Sequence, residues 1–249
     1  MTELRKPGIA KNQVCPLIAR SVLLQCNVAT RGWRGEAWQW YDSRMTAPPT
    51  SRITDEIIHT RLEDGTRVCI RSIRPGDEQR MRDGIARLSA QSRYLRFFSP
   101  QRMPSRAVIE RLLDADGHHH IAWGAIHSGD HDHPAIGAVH AVRDADDEDS
   151  AEFSVAIVDA FHGLGLARML IAVLLVNCRI EGIETLEVQI LSENRAARGL
   201  IVWLGAERVK AEFSVTEYVL DIGTALDKLR SEATTPGLRD VFAALEKYL

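Results

Sequence analysis

The order of apolar periods along the chain predicts a mixed α/β fold, a central sheet flanked by helices. Three observations carry that reading. Strand-like and helix-like runs interleave between residues 67 and 222. A strand over 152–158 alternates, with Phe153, Val155 and Ile157 on one face and Glu152, Ser154 and Ala156 on the other. That strand runs into residues 161–167, Phe-His-Gly-Leu-Gly-Leu-Ala, behind which Leu166, Met169, Leu170, Val173 and Leu174 form a helical stripe ending near Gly182.

A loop with Gly163 and Gly165 at a strand-to-helix turn brings bare backbone N–H groups up to a ligand, and the helix N-terminus behind it favours negative charge. The stretch reads as a phosphate cradle. A dinucleotide fingerprint would put a third glycine where Arg168 stands, and a Walker loop would need Gly-Lys-Ser/Thr, which is absent. What remains is His162-Gly163-Leu164-Gly165-Leu166-Ala167.

The 249 residues, 45% hydrophobic and 26% charged, suffice for one good core with extensions. A formal charge of -3 announces neither nucleic acid nor a membrane surface as partner, and no apolar run is long enough to span a bilayer. Cys15, Cys26, Cys69 and Cys178 form no Cys-x-x-Cys pair, which argues for reduced thiols in a cytoplasmic protein rather than a zinc knuckle or redox motif. Pro16 and Arg20 interrupt the apolar stretch 14–26, against an export signal.

Residues 1–60 show no sustained period, although they hold Trp33, Trp38 and Trp40, and 45–51 reads as a linker. They are expected to form a poorly ordered extension, either a docking arm or the product of a start upstream of Met45. The main domain is expected over 61–222. Val68, Ile70 and Ile73 make its first strand, and Asp77 caps a helix with Met81, Ile85 and Leu88 on one face. The Arg- and aromatic-rich stretch 88–98 is expected either to bury Tyr94, Phe97 and Phe98 or to wall an acceptor groove.

A helix with Val108, Ile109, Leu112 and Leu113 precedes two strands, over 120–126 and 136–142. Six of the nine histidines fall within 118–133, but three are consecutive and others sit in a turn, so converging metal ligands are not expected. The acidic turn 144–149 reads as a solvated hairpin or the rim of a cationic-acceptor site. A strand over 183–191, a helix over 195–204 and a strand pair over 212–222 complete the domain. Residues 223–249 are expected to be a helical tail, in which 240–249 reads as an amphipathic helix that caps the fold or makes a homo-oligomer contact.

The loop pattern resembles the acetyl-coenzyme A pyrophosphate loop of the GNAT N-acetyltransferase superfamily, Gln/Arg-x-x-Gly-x-Gly/Ala. After the strand of Leu186, Val188 and Ile190, the positions Asn194, Ala197, Leu200 and Gly205 fit that superfamily's Asn-x-x-Ala-x-x-Leu motif and its closing Gly-Phe. Residues 151–155 leading into 158–162, together with 88–98, are similar to the Pat-like protein lysine acetyltransferases.

The resemblance implies a mostly antiparallel sheet, splayed to admit acetyl-CoA as cosubstrate, with no metal. It implies that backbone groups of Ile157 and Val158 pair with the pantetheine amides, and that His162, Gly163, Leu164, Gly165, Leu166 and Ala167 hold the pyrophosphate. Asn194 and Arg198 would contact the pantetheine or adenosine side. Glu152 would be the general base, useful because a lysine amine with pKa ~10.4 is nucleophilic in only about one molecule in a few thousand at pH 7. The acceptor implied is a protein lysine, the alternative a small amine or polyamine. Two departures, His162 for Gln or Arg and Ile201 where many members carry a tyrosine, motivate a further reading as a non-catalytic acyl-CoA-binding module.

Overall fold

A computed structural model describes residues 52–99 and 101–249. The readings for residues 1–51, with Cys15, Cys26, the three tryptophans and the linker, lie outside the described residues. A short turn at Ile53–Asp55 leads into strands β1 (Ile57–Arg61) and β2 (Arg67–Ser72), then helices α1 (Glu78–Arg87), α2 (Ala90–Phe97) and α3 (Arg106–Leu113). Strands β3 (His120–His127), β4 (Ala135–Arg143) and β5 (Ser150–Ile157) follow, then helix α4 (Leu166–Ile180), strand β6 (Thr185–Leu191) and helix α5 (Arg195–Trp203). Strands β7 (Glu207–Glu212) and β8 (Val215–Asp221) and helices α6 (Ile222–Ser231) and α7 (Pro236–Leu245) complete the chain.

The eight strands form one open sheet in the order β1-β2-β3-β4-β5-β6-β8-β7. Every neighbouring pair is antiparallel except β5 and β6, which run parallel. One sheet face, carrying Phe153 with Val155 and Ile157 beside it, packs on α4, α6 and α7; the other, carrying Ala122 and Ala138, packs on α1 and α3.

Helix α4 is the centre of the first layer. From Met169 to Cys178 no residue is exposed, because the sheet presses on one side and α6 and α7 on the other. Its one internal polar side chain, Asn177, accepts a hydrogen bond from Trp123 Nε1 on β3 at 3.1 Å, tying helix to sheet where both residues are fully buried.

One boundary expected from sequence moves. The extension expected over 1–60 overlaps β1, which pairs with β2 along its whole length; only Ile58 and Thr60 point inward, so five residues give little periodic signal. The expected helical tail 223–249 forms α6 and α7, which pack on the core. Ala225, Leu226 and Leu229 of α6, and Leu238, Val241 and Leu245 of α7, are buried against α4 and the sheet.

Helix α7 enters at Gly237, where a Cβ would overlap both the Met169 side chain and the Arg61 carbonyl oxygen. The carbonyl belongs to β1 and cannot rotate away. Gly237→Ala should therefore destabilise the fold by about 1–3 kcal/mol, read as a lower urea midpoint. Gly223→Ala, which meets only Asp221 Oδ1 at 3.4 Å, should leave the midpoint unchanged or raised.

Candidate active site

The site is built where two neighbouring strands part. Strand β5 pairs with β6 at only three positions, Ser150 with Thr185, Ala151 with Leu186 and Glu152 with Glu187. Beyond Glu152, β5 stays on β4 as far as Ile157 opposite Gly137, while β6 stays on β8 as far as Leu191 opposite Val215. The two strands thus enclose a slot between residues 153–157 and 188–191.

Which backbone groups face the slot follows from strand alternation. The Val158 N–H donates to the Ile136 carbonyl at 2.9 Å, and the Val158 carbonyl accepts from the Phe161 N–H at 2.8 Å. The expectation that Val158 offers its backbone to a ligand is therefore corrected, since both groups are used inside the fold. Ile157 and Val155, two residues apart, turn their backbone away from β4. The His162 Nε2–H donates to the Ile157 carbonyl at 2.9 Å, so this loop side chain rests on the open edge of the strand.

At the end of the slot, Gly163 and Gly165 adopt φ of 73° and 84°, a region that glycine enters without strain. Among the described residues, no backbone carbonyl or side chain takes the N–H groups of Gly163, Leu164, Gly165, Leu166 or Ala167. These amides lie at the N-terminus of a fifteen-residue helix, suited to an anion. The Leu164 carbonyl accepts from the Glu63 N–H, and Glu63 sits so close to Gly165 that a Cβ there would be 3.0 Å from Oε1.

Asn194 caps α5, its Oδ1 accepting from the Ala197 N–H at 3.1 Å, which leaves its Nδ2 as the group for a ligand. Arg198 is exposed one turn further on. Ile201 is only 2% exposed, a member of the core. An apolar cleft under α1, lined by Gly84, Leu88, Ala138, Ala156 and Val158 among others, adjoins the far end of β5 and not Glu152.

Glu152 is half-buried on the sheet face opposite α4, with Ser154 two residues on. On this face α2 contributes Arg96, whose Nη2 donates to Ser154 Oγ at 2.8 Å. Burial brings the Arg96 guanidinium down to about 10, opposed by the charge of Glu152; it stays cationic at neutral pH. Next to Ser154 across the strands is His140, 4% exposed, whose Nδ1 lies 3.0 Å from His120 Nε2. His120 Nδ1 in turn donates to the Asp114 carbonyl at 3.0 Å. Helix α2 is clamped by Asp159, which accepts from the Ser89 N–H and hydroxyl and from the Ser92 hydroxyl. Burial, which would raise the Asp159 carboxyl, is outweighed by these bonds, which hold it at about 2.

Arg96, Ser154, His140 and Asp159 were not singled out as site residues from sequence. Of the two readings of the aromatic stretch 88–98, burial of Tyr94, Phe97 and Phe98 or the wall of an acceptor groove, full burial does not hold, since no residue of α2 is fully buried. The remaining histidines of 118–133 disperse: His118 pairs with Glu181, His119 with Asp116, and His131 with Asp132. Among the described residues, no group of three or more His, Cys, Asp or Glu is placed to hold a metal, and no helix is long and apolar enough to cross a membrane.

A family model for the acetyltransferase (GNAT) domain matches residues 67–207. The acetyltransferase Pat of Mycolicibacterium smegmatis is 28% identical over 169 residues, covering 66% of this chain and 49% of that protein. An acetyltransferase of Pseudomonas aeruginosa is 32% identical over 144 residues, covering 58% of this chain and 77% of that protein. The chain thus spans about half the length of the first of these curated relatives. In fold it is similar to the crystal structure of the GNAT domain of S. lividans PAT, with a TM-score of 0.61 at 23% identity over 66% of this chain and 96% of that one.

Burial is the largest cause that lowers both His120 and His140 below the ordinary histidine value, so both are neutral in the fold. The unfolded chain takes up these protons first as pH falls below ~6.5. Stability is therefore complete above that pH and declines below it, by at most ~1.4 kcal/mol per pH unit for each histidine. Urea midpoints should fall between pH 7 and 5, above the range from ~3.9 in the unfolded chain down to about 2 in the fold where the stability contributed by Asp77, Asp116 and Asp159 is lost. His140→Gln should flatten that slope; a wild-type midpoint constant over this range contradicts it.

Proposed function

We propose that this chain, which belongs to the acetyltransferase (GNAT) domain family, transfers an acetyl group from acetyl-CoA to a primary amine. One arrangement carries this reading: a slot that opens beside Glu152 and ends at a loop of unpartnered amides. An extended pantetheine arm can add to the open edge of β5 at Val155 and Ile157 as a further strand does, with its pyrophosphate on the amides of residues 163–167. To meet the pantetheine amide, the Ile157 carbonyl exchanges or shares its bond from His162. Asn194 Nδ2 and Arg198 complete the cofactor side.

In this reading the amine nitrogen attacks the thioester carbonyl, its proton passes to Glu152, and the carbon–sulfur bond breaks to release coenzyme A. Glu152 supplies the base that a largely protonated amine requires. Ile201 offers no acid, so the sulfur leaves as thiolate or takes a proton from water.

The acceptor we favour is a protein lysine. The similarity of 88–98, and of 151–155 leading into 158–162, to the Pat-like enzymes supports it; the charge of the face supports a cationic amine of either kind. Glu152 lies opposite Glu187, and Gln189 opposite Glu217, so three adjacent strands turn carboxylates toward the same side, with Arg96 beside Glu152 and Lys210 opposite Glu217. Such a face draws in cations and rejects anions, which suits a lysine side chain and equally a polyamine. Labelled acetyl-CoA offered with lysine-rich proteins and with polyamines separates the two. Binding without transfer to any amine would leave the acyl-CoA-binding reading.

Glu152→Gln should lower turnover about 10²–10⁴-fold while the dissociation constant for acetyl-CoA stays within twofold. Isothermal calorimetry and a thiol-release assay on the same preparation measure both. Unchanged turnover would remove Glu152 from its role.

A further inference from the structure

Behind Glu152 lies a polar group that the proposed acetyl transfer does not itself use. Its members come from four elements: Arg96 from α2, His120 from β3, His140 from β4 and Ser154 from β5. They cover the sheet face that Glu152 shares. The bonds define the protonation states. His120 Nδ1 faces the Asp114 carbonyl and must donate, so the neutral ring presents Nε2 as a lone pair, and His140 Nδ1–H donates into it. The pair is satisfied when both rings are neutral; a proton added to His120 Nε2 would reverse the bond and require His140 to move its own proton to Nε2.

The consequence is a charge count. Around Glu152 the facing groups are Arg96 from α2, the two imidazoles from β3 and β4, and Glu187 from β6, with Asp114 and Asp116 beyond His120. With both rings neutral, Arg96 carries the positive charge among these four side chains, and Ser154 Oγ fixes where its guanidinium stands.

We propose that Arg96 is a positioning residue, anchored by Ser154 and backed by the neutral His120–His140 pair, that keeps the Glu152 carboxylate ionised and oriented to receive the amine proton. The inference rests on the reading of Glu152 as the base. It also explains the Asp159 clamp on Ser89 and Ser92: the turn that leads from β5 into the cofactor loop holds the helix that carries Arg96, so both sides of the site are fixed from one point.

The test is an infrared pH titration of the full chain, with the Glu152 carboxylate band identified as the one missing from Glu152→Gln. An adjacent cation lowers a carboxyl by about 1–3 pH units, so Arg96→Gln should raise the Glu152 midpoint by about that amount, and Arg96→Lys should restore part of it. Ser154→Ala, which releases the guanidinium without removing its charge, should give a smaller rise and serves if Arg96→Gln does not fold. A midpoint unmoved in folded Arg96→Gln, or in Ser154→Ala where the first variant fails, overturns the proposal. Failure of the underlying reading has a separate signature: Glu152→Gln would then transfer acetyl groups at the wild-type rate whatever the titration shows.

Discussion

The fold turns on a partnership that stops early. Strands β5 and β6 share three positions and then separate, although each is paired on its other edge, β5 with β4 and β6 with β8. Because neither strand relies on the other beyond Glu152, the opening needs no distortion of either ladder. Open backbone groups inside a sheet are costly unless something meets them, so a sheet parted in this way is organised for an extended ligand. The opening also sorts the chemistry. The loop of unpartnered amides and the apolar cover of α4 and α5 sit on one side, and Glu152 with its polar neighbours faces the other.

Packing holds the slot in shape. Helix α4 is buried along most of its length, and its N-terminal turn presses on β4 at Gly137, where a Cβ would lie 2.7 Å from Ile157 Cδ1 and 3.1 Å from Leu170 Cδ1. The cofactor loop therefore stands at a fixed height above the end of β5. Asp159 extends the same constraint to the opposite face through its bonds to α2. A site assembled from loop, strand and helix is thus supported by core contacts on one face and by a charged cap on the other.

Much of this was legible in the sequence, for reasons that can be named. The loop and α4 announce themselves through two glycines at a strand-to-helix junction and a continuous apolar stripe. The alternation of β5 placed Glu152 and Ser154 on the face opposite Phe153. Pairing Ile157 with Val158 as ligand contacts failed on that same alternation, since consecutive residues of a strand turn their backbone groups to opposite edges and only one can face the slot. The stripe Ile222, Ala225, Leu226 and Leu229 marks a helix, but periodicity does not say what a helix packs against, so the chain alone does not show how closely α6 and α7 join the core. Arg96 was hidden because three aromatics in the same short helix offered a stronger reason to be buried. His120 and His140 meet only through the β3–β4 register, which no local pattern records.

The central claim, that the parted strands and the glycine loop form one cofactor slot, can be measured at the amides themselves. Hydrogen exchange resolved to single residues should slow at Val155, Ile157 and residues 163–167 when acetyl-CoA saturates the protein, with the buried amides of α4 unchanged. Saturating binding that leaves those amides exchanging at their free rates, with protection arising elsewhere, would contradict it.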